Sequence, residues 1–274
     1  MNMPAFQRVR TAIICTSFAA CTSGERAAPL RLGASLTVQQ SGALAVLDSL
    51  WTGAPLAVVL GPSGQILGSA ARGDLDIVIT QAPTLETRLL ASGHALLRCP
   101  FVASRFAVVG PASDPARIAT AATAAEAFRR IARASGPFVS RGDSSGTHVK
   151  ELALWQAAGV NPAGRAWYVE SGDDQPATLR LADERNAYAL ADLPTFAKLG
   201  NLRLRILFSR DTALSNPYTV YVIQTPHPHP AARQFAEWVV GAGREHVLAL
   251  RLPDGTPAFD ARSGGCTPPA LGAP

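Results

Sequence analysis

Short apolar segments alternate with amphipathic segments along most of this 274-residue chain, and this alternation limits the fold more than any other feature. Leu56–Leu60 is an apolar strand that ends in a Gly-Pro-Ser-Gly turn, and Gln65–Arg72 then has helical spacing. Leu75–Thr80 is another apolar strand, followed by a predicted helix over Leu85–Ser92. Strands separated by helices are typical of α/β proteins. We therefore predict an α/β architecture.

The predicted strands fall into two groups, and the chain crosses between them near Phe106–Pro111 and again near Leu204–Pro217. This pattern predicts two lobes, each a mixed sheet flanked by helices, with two crossing strands as the hinge. A ligand is expected in the cleft between such lobes. The predicted boundaries are residues 29–109 for the first part of lobe 1, 110–205 for lobe 2, 206–262 for the return to lobe 1 and 263–274 for a disordered tail.

The segment Ser140–Trp155, which reads SRGDSSGTHVKELALW, combines a Gly/Ser/Asp turn with the start of a helix. Val149, Leu152 and Trp155 form one helical stripe after the turn. A helix N-terminus offers unpaired N–H donors and partial positive charge, which suits an anion. Arg141 adds a forked donor that is always charged. This combination predicts an oxyanion site.

The same segment has a simpler interpretation as the N-cap of an ordinary helix. Ser144, Ser145 or Thr147 could each serve only that purpose. The segment is not a nucleotide-binding P-loop, because no Gly-Lys-Ser/Thr follows its glycines. The residues alone leave anion binding and plain capping both open.

The charge of the chain argues against nucleic-acid binding but does not by itself indicate a particular ligand. The net charge is +5, and Lys occurs only at Lys150 and Lys198, so arginine carries nearly all the positive charge. Such an excess can favour anionic ligands, although a high-GC genome gives the same bias toward Arg and Ala. The chain has no basic run and only 7% aromatic residues, which argues against nucleic-acid binding.

The N-terminus has the pattern of an export signal. Arg8 and Arg10 precede the short apolar stretch Thr11–Ala20, which is too short to span a membrane as a stable helix. The stretch ends in Phe-Ala-Ala-Cys, which resembles a bacterial lipobox and makes Cys21 the predicted lipidation site. We predict a signal peptide over residues 1–20 and a polar tether over 21–28, with ordinary secretion as the alternative.

Two further cysteines, Cys99 and Cys266, remain after those of the signal region. In an oxidising compartment two cysteines can pair, and a disulfide between them is therefore a hypothesis. Neither cysteine is accompanied by ligand spacing typical of a metal site, so no metal is expected. His227 and His229 alternate with prolines and fit a stiff surface loop better than a metal site.

With these residues identified, the chain resembles the tungstate-binding periplasmic proteins of ABC importers, which have the type II periplasmic-binding-protein fold. The resemblance runs from about Leu30 to Phe259, and FVSRGDSSGTHVKELALW is its most specific part. ATLRLADERNAYALAD, LSNPY and the AEAF helix also look like family segments. The Arg-Gly-Asp-x-Ser-Gly-Thr turn is also similar to the anion loop of phosphate-binding proteins.

The resemblance implies a set of ligand-binding residues from both lobes. The family's Thr-Thr-Thr-Ser motif reads Ala-Ser-Leu-Thr over residues 34–37, its Val-Gly-Thr-Gly-Gln matches residues 60–65, and its His-Ala-Pro reads Gln-Ala-Pro over 81–83. Turn or helix capping is the alternative for the hydroxyl residues. The implied ligand-binding residues are Ser35, Thr37, Ser63, Gly64, Arg141, Ser145, Gly146 and Thr147.

The function that the resemblance implies is capture of a tetrahedral oxyanion, tungstate or molybdate, and its delivery to an ABC permease with its ATPase. No cofactor, metal or nucleic acid is expected, and the protein is expected to be a periplasmic monomer tethered to the membrane only by its lipid. A phosphate-binding protein, a protein for another oxyanion, or a sensor is the alternative; Asp143, Asp173 or Asp174 would then face the cleft as an acceptor. An extracytoplasmic enzyme acting on phosphate or sulfate esters is a remote alternative, because no catalytic motif is present.

Overall fold

The computed structural model describes residue 1, residues 28–262 and residues 264–269. The predicted signal peptide beyond Met1, the lipidation site Cys21 and the tether up to residue 27 lie outside these residues. In the part of the chain that is described, no helix is both long enough and apolar enough to cross a membrane.

Lobe 1 is built on three parallel strands, β1 (Leu30–Ser35), β2 (Leu56–Gly61) and β3 (Ile77–Thr80), with β1 in the middle. Strands β1 and β3 are almost wholly buried, as expected where helices cover both faces of a parallel sheet. Each of the three strands is followed within three residues by a helix, so three helix N-termini lie at one edge of the sheet. The helices of this part are α1 (Leu36–Gln40), α2 (Ala43–Leu50), α3 (Ser63–Ala71) and α4 (Pro83–Ala91).

The long strand β4 (Ala95–Gly110) connects the two lobes. Its first part pairs antiparallel with β9 (Ser215–Ile223), which also pairs antiparallel with β3. A two-residue strand, β10 (Asp260–Ala261), adds to the other side of β4. The lobe 1 sheet therefore has the order β10-β4-β9-β3-β1-β2, and the β4–β9 pair forms the hinge.

Lobe 2 surrounds the last residues of β4 and carries a large aromatic core. Its strands are β5 (Phe138–Ser140), β6 (Tyr168–Glu170), β7 (Ala189–Asp192) and β8 (Arg205–Phe208), and its helices are α5 (Ala124–Arg133), α6 (Gly146–Ala157), α7 (Gln175–Glu184) and α8 (Leu193–Lys198). Strands β7 and β8 flank β4, and β5 pairs parallel with β6. Trp155 of α6 packs against Phe128 of α5 and Phe138 of β5, with ring centroids 4.5 and 5.1 Å away. These edge-to-face contacts hold the C-terminal part of α6 against β5 and α5.

The lobe boundaries differ from the predicted ones. From Phe106 onward β4 pairs with the lobe 2 strands β7 and β8. The last five residues of β4 and the whole of β8 therefore belong to lobe 2 and not to lobe 1. Lobe 2 thus runs from Phe106 to the turn before Ser215. The physical reason is that β4 stays extended through the hinge, and an unbroken strand has no local signal where its pairing partner changes.

The C-terminal segment returns to lobe 1 and packs on its sheet. Helices α9 (Ala231–Trp238) and α10 (Arg244–Leu248) are joined by a π-helical turn over Val239–Gly243. Gly241 adopts φ −98° and ψ −112° inside this turn, where the helix kinks. The kink therefore separates the two C-terminal helices.

The predicted disordered tail needs a correction for residues 264–269. Cys99 on β4 and Cys266 form a disulfide in the structure. Beside it, Arg98 and Thr267 exchange backbone hydrogen bonds of 2.8 and 3.1 Å. These bonds hold the segment along β4, because a covalent link at Cys266 brings the neighbouring backbone within hydrogen-bond distance of the strand.

Candidate functional site

The C-terminal ends of strands from both lobes meet in the cleft. In lobe 1, β1 ends at Ser35, β2 is followed by Ser63, and β3 is followed by Gln81. In lobe 2, β5 ends at Ser140 and is followed by Arg141. Ligands of α/β proteins commonly bind at this end of the strands, where loops and helix N-termini converge.

The loop between β5 and α6 is shaped by two residues in the left-handed region. Gly142 has φ 64°, and a Cβ there would lie 2.7 Å from the Cβ of Glu170, so this position requires glycine. Ser144 has φ 58°, and its backbone N–H donates to His148 Nδ1 over 3.2 Å. Ser145 then caps α6, because its hydroxyl accepts from the His148 N–H over 3.2 Å.

Arg141 is only 1% exposed and lies at the start of this loop. Its Nη2 donates to Asp143 Oδ2, and the other carboxylate oxygen of Asp143 accepts from the Ser145 N–H over 3.1 Å. Asp143 therefore orients the guanidinium and ties it to the helix start. Within the described part of the chain, Arg141 Nε and Nη1 have no hydrogen-bond partner.

The electrostatics of Arg141 follow from this burial. Burial lowers the pKa of the guanidinium, and the neighbouring Asp143 acts in the opposite direction. An arginine remains charged even so, and two of its nitrogen donors are buried without an acceptor among the described residues. Buried donors of this kind are costly unless an acceptor reaches them. The arrangement is one that an anionic oxygen would stabilise.

On the lobe 1 side, Gln81 is the centre of a polar network. Its Oε1 accepts hydrogen bonds from the hydroxyls of Ser35 (2.7 Å) and Ser63 (3.2 Å). Gln81 is 1% exposed, and its Nε2 has no partner among the described residues. Thr37, in the first turn of α1, is equally buried, and its hydroxyl lacks a partner in the same part of the structure. This face of the cleft is neutral and rich in hydrogen-bond donors.

The two lobes touch at the site. A Cβ on Gly146, the first residue of α6, would lie 2.6 Å from Gln81 Nε2 and 2.8 Å from the Gln81 carbonyl oxygen. Gly64 faces Ser144 at ordinary contact distance. A hydrogen bond of 3.0 Å also runs from Gln40 Nε2 to Asp174 Oδ2 across the cleft. The lobes are therefore closed on each other.

The structure brings the eight predicted residues to the cleft, but not all as direct donors. Ser35 and Ser63 donate to Gln81, so they orient this amide. Thr147 donates to Gln175 Oε1 over 3.4 Å, a long hydrogen bond. The other five have the roles described above: the two glycine contacts, the helix cap, the buried guanidinium and a buried hydroxyl. They are Gly64, Gly146, Ser145, Arg141 and Thr37.

Sequence reasoning missed Gln81 as a site residue, although its position gave a signal. It directly follows the buried strand β3, whose parallel neighbour β1 ends in the polar residue Ser35. Sequence reasoning also missed the bridge from Gln40 to Asp174, and Asp174 caps α7 as well by accepting from the Ala177 N–H over 3.0 Å. A contact between lobes has no periodic signature in the sequence.

The side chain of His148, in the first turn of α6, is only 12% exposed. Burial lowers the pKa of the imidazole, while Asp143 and Glu170 act in the opposite direction. The neutral ring suits its role as acceptor for the Ser144 N–H. His148 therefore supports the loop around Arg141.

Comparison with known proteins agrees with this fold. A PBP superfamily domain matches residues 22–242. A Haloferax volcanii protein provisionally named an ABC transporter anion-binding protein is 37% identical over 208 residues, which cover 72% of this chain and 60% of that protein. The tungstate-binding protein TupA of Peptoclostridium acidaminophilum is 34% identical over 204 residues, covering 72% of this chain and 71% of that protein. The match to the Haloferax protein thus spans less than two thirds of its length.

A solved structure extends the comparison to three dimensions. The tungstate ABC transporter structure from Geobacter sulfurreducens superimposes with a TM-score of 0.71 and 37% identity, covering 80% of this chain and 97% of that chain. The expected α/β, two-lobed binding-protein fold is confirmed, and so is the resemblance to the tungstate-binding family.

Proposed function

The chain belongs to the PBP superfamily, and from this premise we propose that it captures a tetrahedral oxyanion, tungstate or molybdate, between its two lobes. Relatives that share a third or more of their matched residues with it carry tungstate or anion binding in their names. The proposal assigns binding and release to this protein, without a chemical step on the anion.

One observation carries the proposal: the buried guanidinium of Arg141, whose Nε and Nη1 lack partners in the described structure. Hydrogen bonds from a charged donor to an anionic oxygen are about twice as strong as neutral ones. They would also remove the cost of two unpaired buried donors. Gly146 and Thr147 at the start of α6 add N–H groups and the positive end of a helix of twelve residues.

The acceptor oxygens of Asp143 and Gln81 are already engaged, which favours a fully deprotonated anion beside them. Both oxygens of Asp143 are engaged by Arg141 and the Ser145 N–H, and Gln81 Oε1 is engaged by two hydroxyls. A protonated anion such as hydrogen phosphate needs an acceptor for its O–H. Tungstate and molybdate are dianions without such a proton, so they fit this set of donors better.

The partners and location follow from the same proposal. An anion held in a closed cleft can be delivered to an ABC permease with its ATPase, as the names of the relatives suggest. The disulfide between Cys99 and Cys266 suits an oxidising, extracytoplasmic compartment. We further propose a monomer, anchored to the membrane through a lipid at Cys21.

The proposal is tested by isothermal titration of the purified protein with tungstate, molybdate, sulfate and phosphate at pH 7.5. We expect tungstate or molybdate to bind more tightly than phosphate by roughly 5- to 150-fold, the cost of one unsatisfied buried polar group. Tighter binding of phosphate would move the assignment to a phosphate-binding protein. Failure of all four anions to bind would overturn the proposal.

A further inference from the structure

We propose that Gln81 is the residue through which lobe 1 recognises the anion and discriminates between deprotonated and protonated oxyanions. Its side-chain oxygen, Oε1, is held by lobe 1, and the N–H groups of its side-chain amide are directed to the ligand. This inference rests on the proposed oxyanion function and adds to it a residue that determines specificity.

The orientation of the Gln81 amide is fixed by two hydroxyls. Ser35 from the end of β1 and Ser63 from the start of α3 both donate to Oε1, at 2.7 and 3.2 Å. Serine hydroxyls on two neighbouring elements thus saturate the acceptor end of the side chain. The donor end, Nε2, is buried and has no partner among the residues described. A primary amide with its oxygen satisfied can only donate from its other end.

A second network holds the backbone on both sides of Gln81. The buried carboxylate of Glu86 accepts from the Thr80 hydroxyl and from the Ala82 N–H, each over 2.8 Å. Its other oxygen accepts from the Tyr221 hydroxyl of β9, also over 2.8 Å. The residues before and after Gln81 are therefore tied to one rigid group. A donor that is held in place before the ligand arrives loses little entropy on binding.

The Gln81 amide faces the loop that carries Arg141. A Cβ on Gly146 would lie 2.6 Å from Nε2, so the amide lies against the first residue of α6 when the lobes are closed. Ser145 and Thr147 flank that glycine. Gln81 is thus the lobe 1 group that meets the helix N-terminus of lobe 2, where the anion is proposed to bind.

An uncharged donor at this position has a consequence for specificity. It donates to an oxygen without a proton, but it cannot accept the proton of an O–H group. A carboxylate at the same position would do the opposite. Gln81→Glu therefore changes the chemistry with almost no change in shape, and Gln81→His keeps one N–H donor.

The experiment is isothermal titration of wild type, Gln81→Glu, Gln81→His and the control Gln156→Glu with tungstate and phosphate. Gln156 is exposed near the far end of α6, so its variant introduces the same charge away from the site. Thermal denaturation of each variant checks that it is folded. For Gln81→Glu at pH 7.5 we expect tungstate affinity to fall by about 10- to 150-fold, the loss of one hydrogen bond to a charged group.

The ratio of tungstate to phosphate affinity separates recognition from structural support. We expect this ratio to fall in Gln81→Glu and to stay within about tenfold of wild type in Gln81→His. An unchanged ratio in Gln81→Glu would overturn the inference while leaving the oxyanion function standing. Wild-type protein that binds neither anion would overturn both.

Discussion

The two faces of the cleft use different chemistry to approach the same ligand. The lobe 2 face, formed by Arg141, Asp143 and Ser145, is charged and comes from one continuous loop. The lobe 1 face, formed by Ser35, Ser63 and Gln81, is neutral and comes from three separate strand ends. The comparison teaches that charge attraction and discrimination can reside in different lobes.

Both faces are supported by a buried carboxylate. Glu86 lies behind the lobe 1 face and accepts from Thr80, Ala82 and Tyr221. Glu151 lies behind the lobe 2 face and accepts from Trp155 Nε1 (3.1 Å) and the Tyr168 hydroxyl (2.8 Å). Burial raises the pKa of both carboxyls. The similar support shows that the difference between the faces lies in the groups that point into the cleft.

The largest effect is expected from removing the charge of the lobe 2 face. Arg141→Ala deletes the buried guanidinium and leaves Asp143, which is 9% exposed, without its ion-pair partner. The proposed hydrogen bonds from Nε and Nη1 to the anion are also lost, and each hydrogen bond between charged groups contributes about 1.5–3 kcal/mol. We therefore expect tungstate affinity to fall by at least about 100-fold in isothermal titration. Arg185→Ala, which removes an exposed arginine from the end of α7, is the control. Equal binding by Arg141→Ala and wild type would show that charge does not drive recognition here.

The buried carboxylate behind the lobe 2 face gives the next prediction. Burial raises the pKa of Glu151 to about 7 in the folded protein, from 4.5. Between these values the folded state holds a proton that the unfolded state has released, so stability falls as pH rises from about 4.5 to 7. A shift of this size corresponds to about 3 kcal/mol at most.

Glu151→Gln tests this linkage, because the amide oxygen can still accept from Trp155 and Tyr168. We expect the variant to be more stable than wild type at pH 8 by roughly 1–3 kcal/mol, with the difference vanishing near pH 4.5. Urea denaturation at several pH values measures both curves. If the slope of stability against pH were the same in the variant, another group would be responsible.

The contact between the two faces can be disrupted without replacing a polar side chain. Gly146→Ala places a methyl group 2.6 Å from Gln81 Nε2 and 2.8 Å from its carbonyl oxygen, so closure of the lobes is hindered. Overpacking of this kind costs about 1–3 kcal/mol, which we expect as a 5- to 150-fold loss of tungstate affinity. Thermal stability should change little, since the clash lies between lobes.

Gly64→Ala is the matched control for this contact. Its new methyl group would lie 3.4 Å from the Ser144 carbonyl oxygen, an ordinary distance. Gly64 also lies in the first turn of a helix, α3, as Gly146 does in α6. We expect its affinity to stay near that of wild type. A loss as large as that of Gly146→Ala would mean that the cleft tolerates no added volume anywhere.

The two faces were not equally predictable from the sequence. The lobe 2 loop lies within sixteen consecutive residues, and its strand, turn and helix each leave a local pattern, so Arg141 and Ser145 could be placed. The lobe 1 face depends on the ends of β1, β2 and β3 meeting in parallel, and this pairing is long-range. The sequence identified Ser35 and Ser63, but it could not show that both donate to Gln81.

The helices and strands show the same difference between what local sequence predicts and what tertiary contacts decide. The helices predicted over Gln65–Arg72 and Leu85–Ser92 match α3 and α4 to within two residues at their ends. The six-residue helix α8 begins with Leu-Pro at the edge of the cleft and is too short to show a period. The change of lobe inside β4 and the attachment of residue 266 depend on tertiary contacts alone. Local periodicity therefore predicts elements, whereas tertiary pairing decides which lobe they join.

The smallest predicted effect sharpens the comparison within the lobe 1 face itself. Ser35→Ala and Ser63→Ala each remove one of the two hydroxyls that hold the Gln81 amide, and neither removes a charge. A neutral hydrogen bond contributes about 0.5–1.5 kcal/mol, so each variant should lose only about two- to tenfold in tungstate affinity. The loss should be greater for Ser35→Ala, because its bond of 2.7 Å is shorter than the 3.2 Å bond from Ser63. In the double variant the amide is free to rotate and present its oxygen to the ligand, so the tungstate to phosphate ratio should fall by more than the two single losses combined. Additive losses with an unchanged ratio would show that the hydroxyls act on the anion separately and do not orient Gln81.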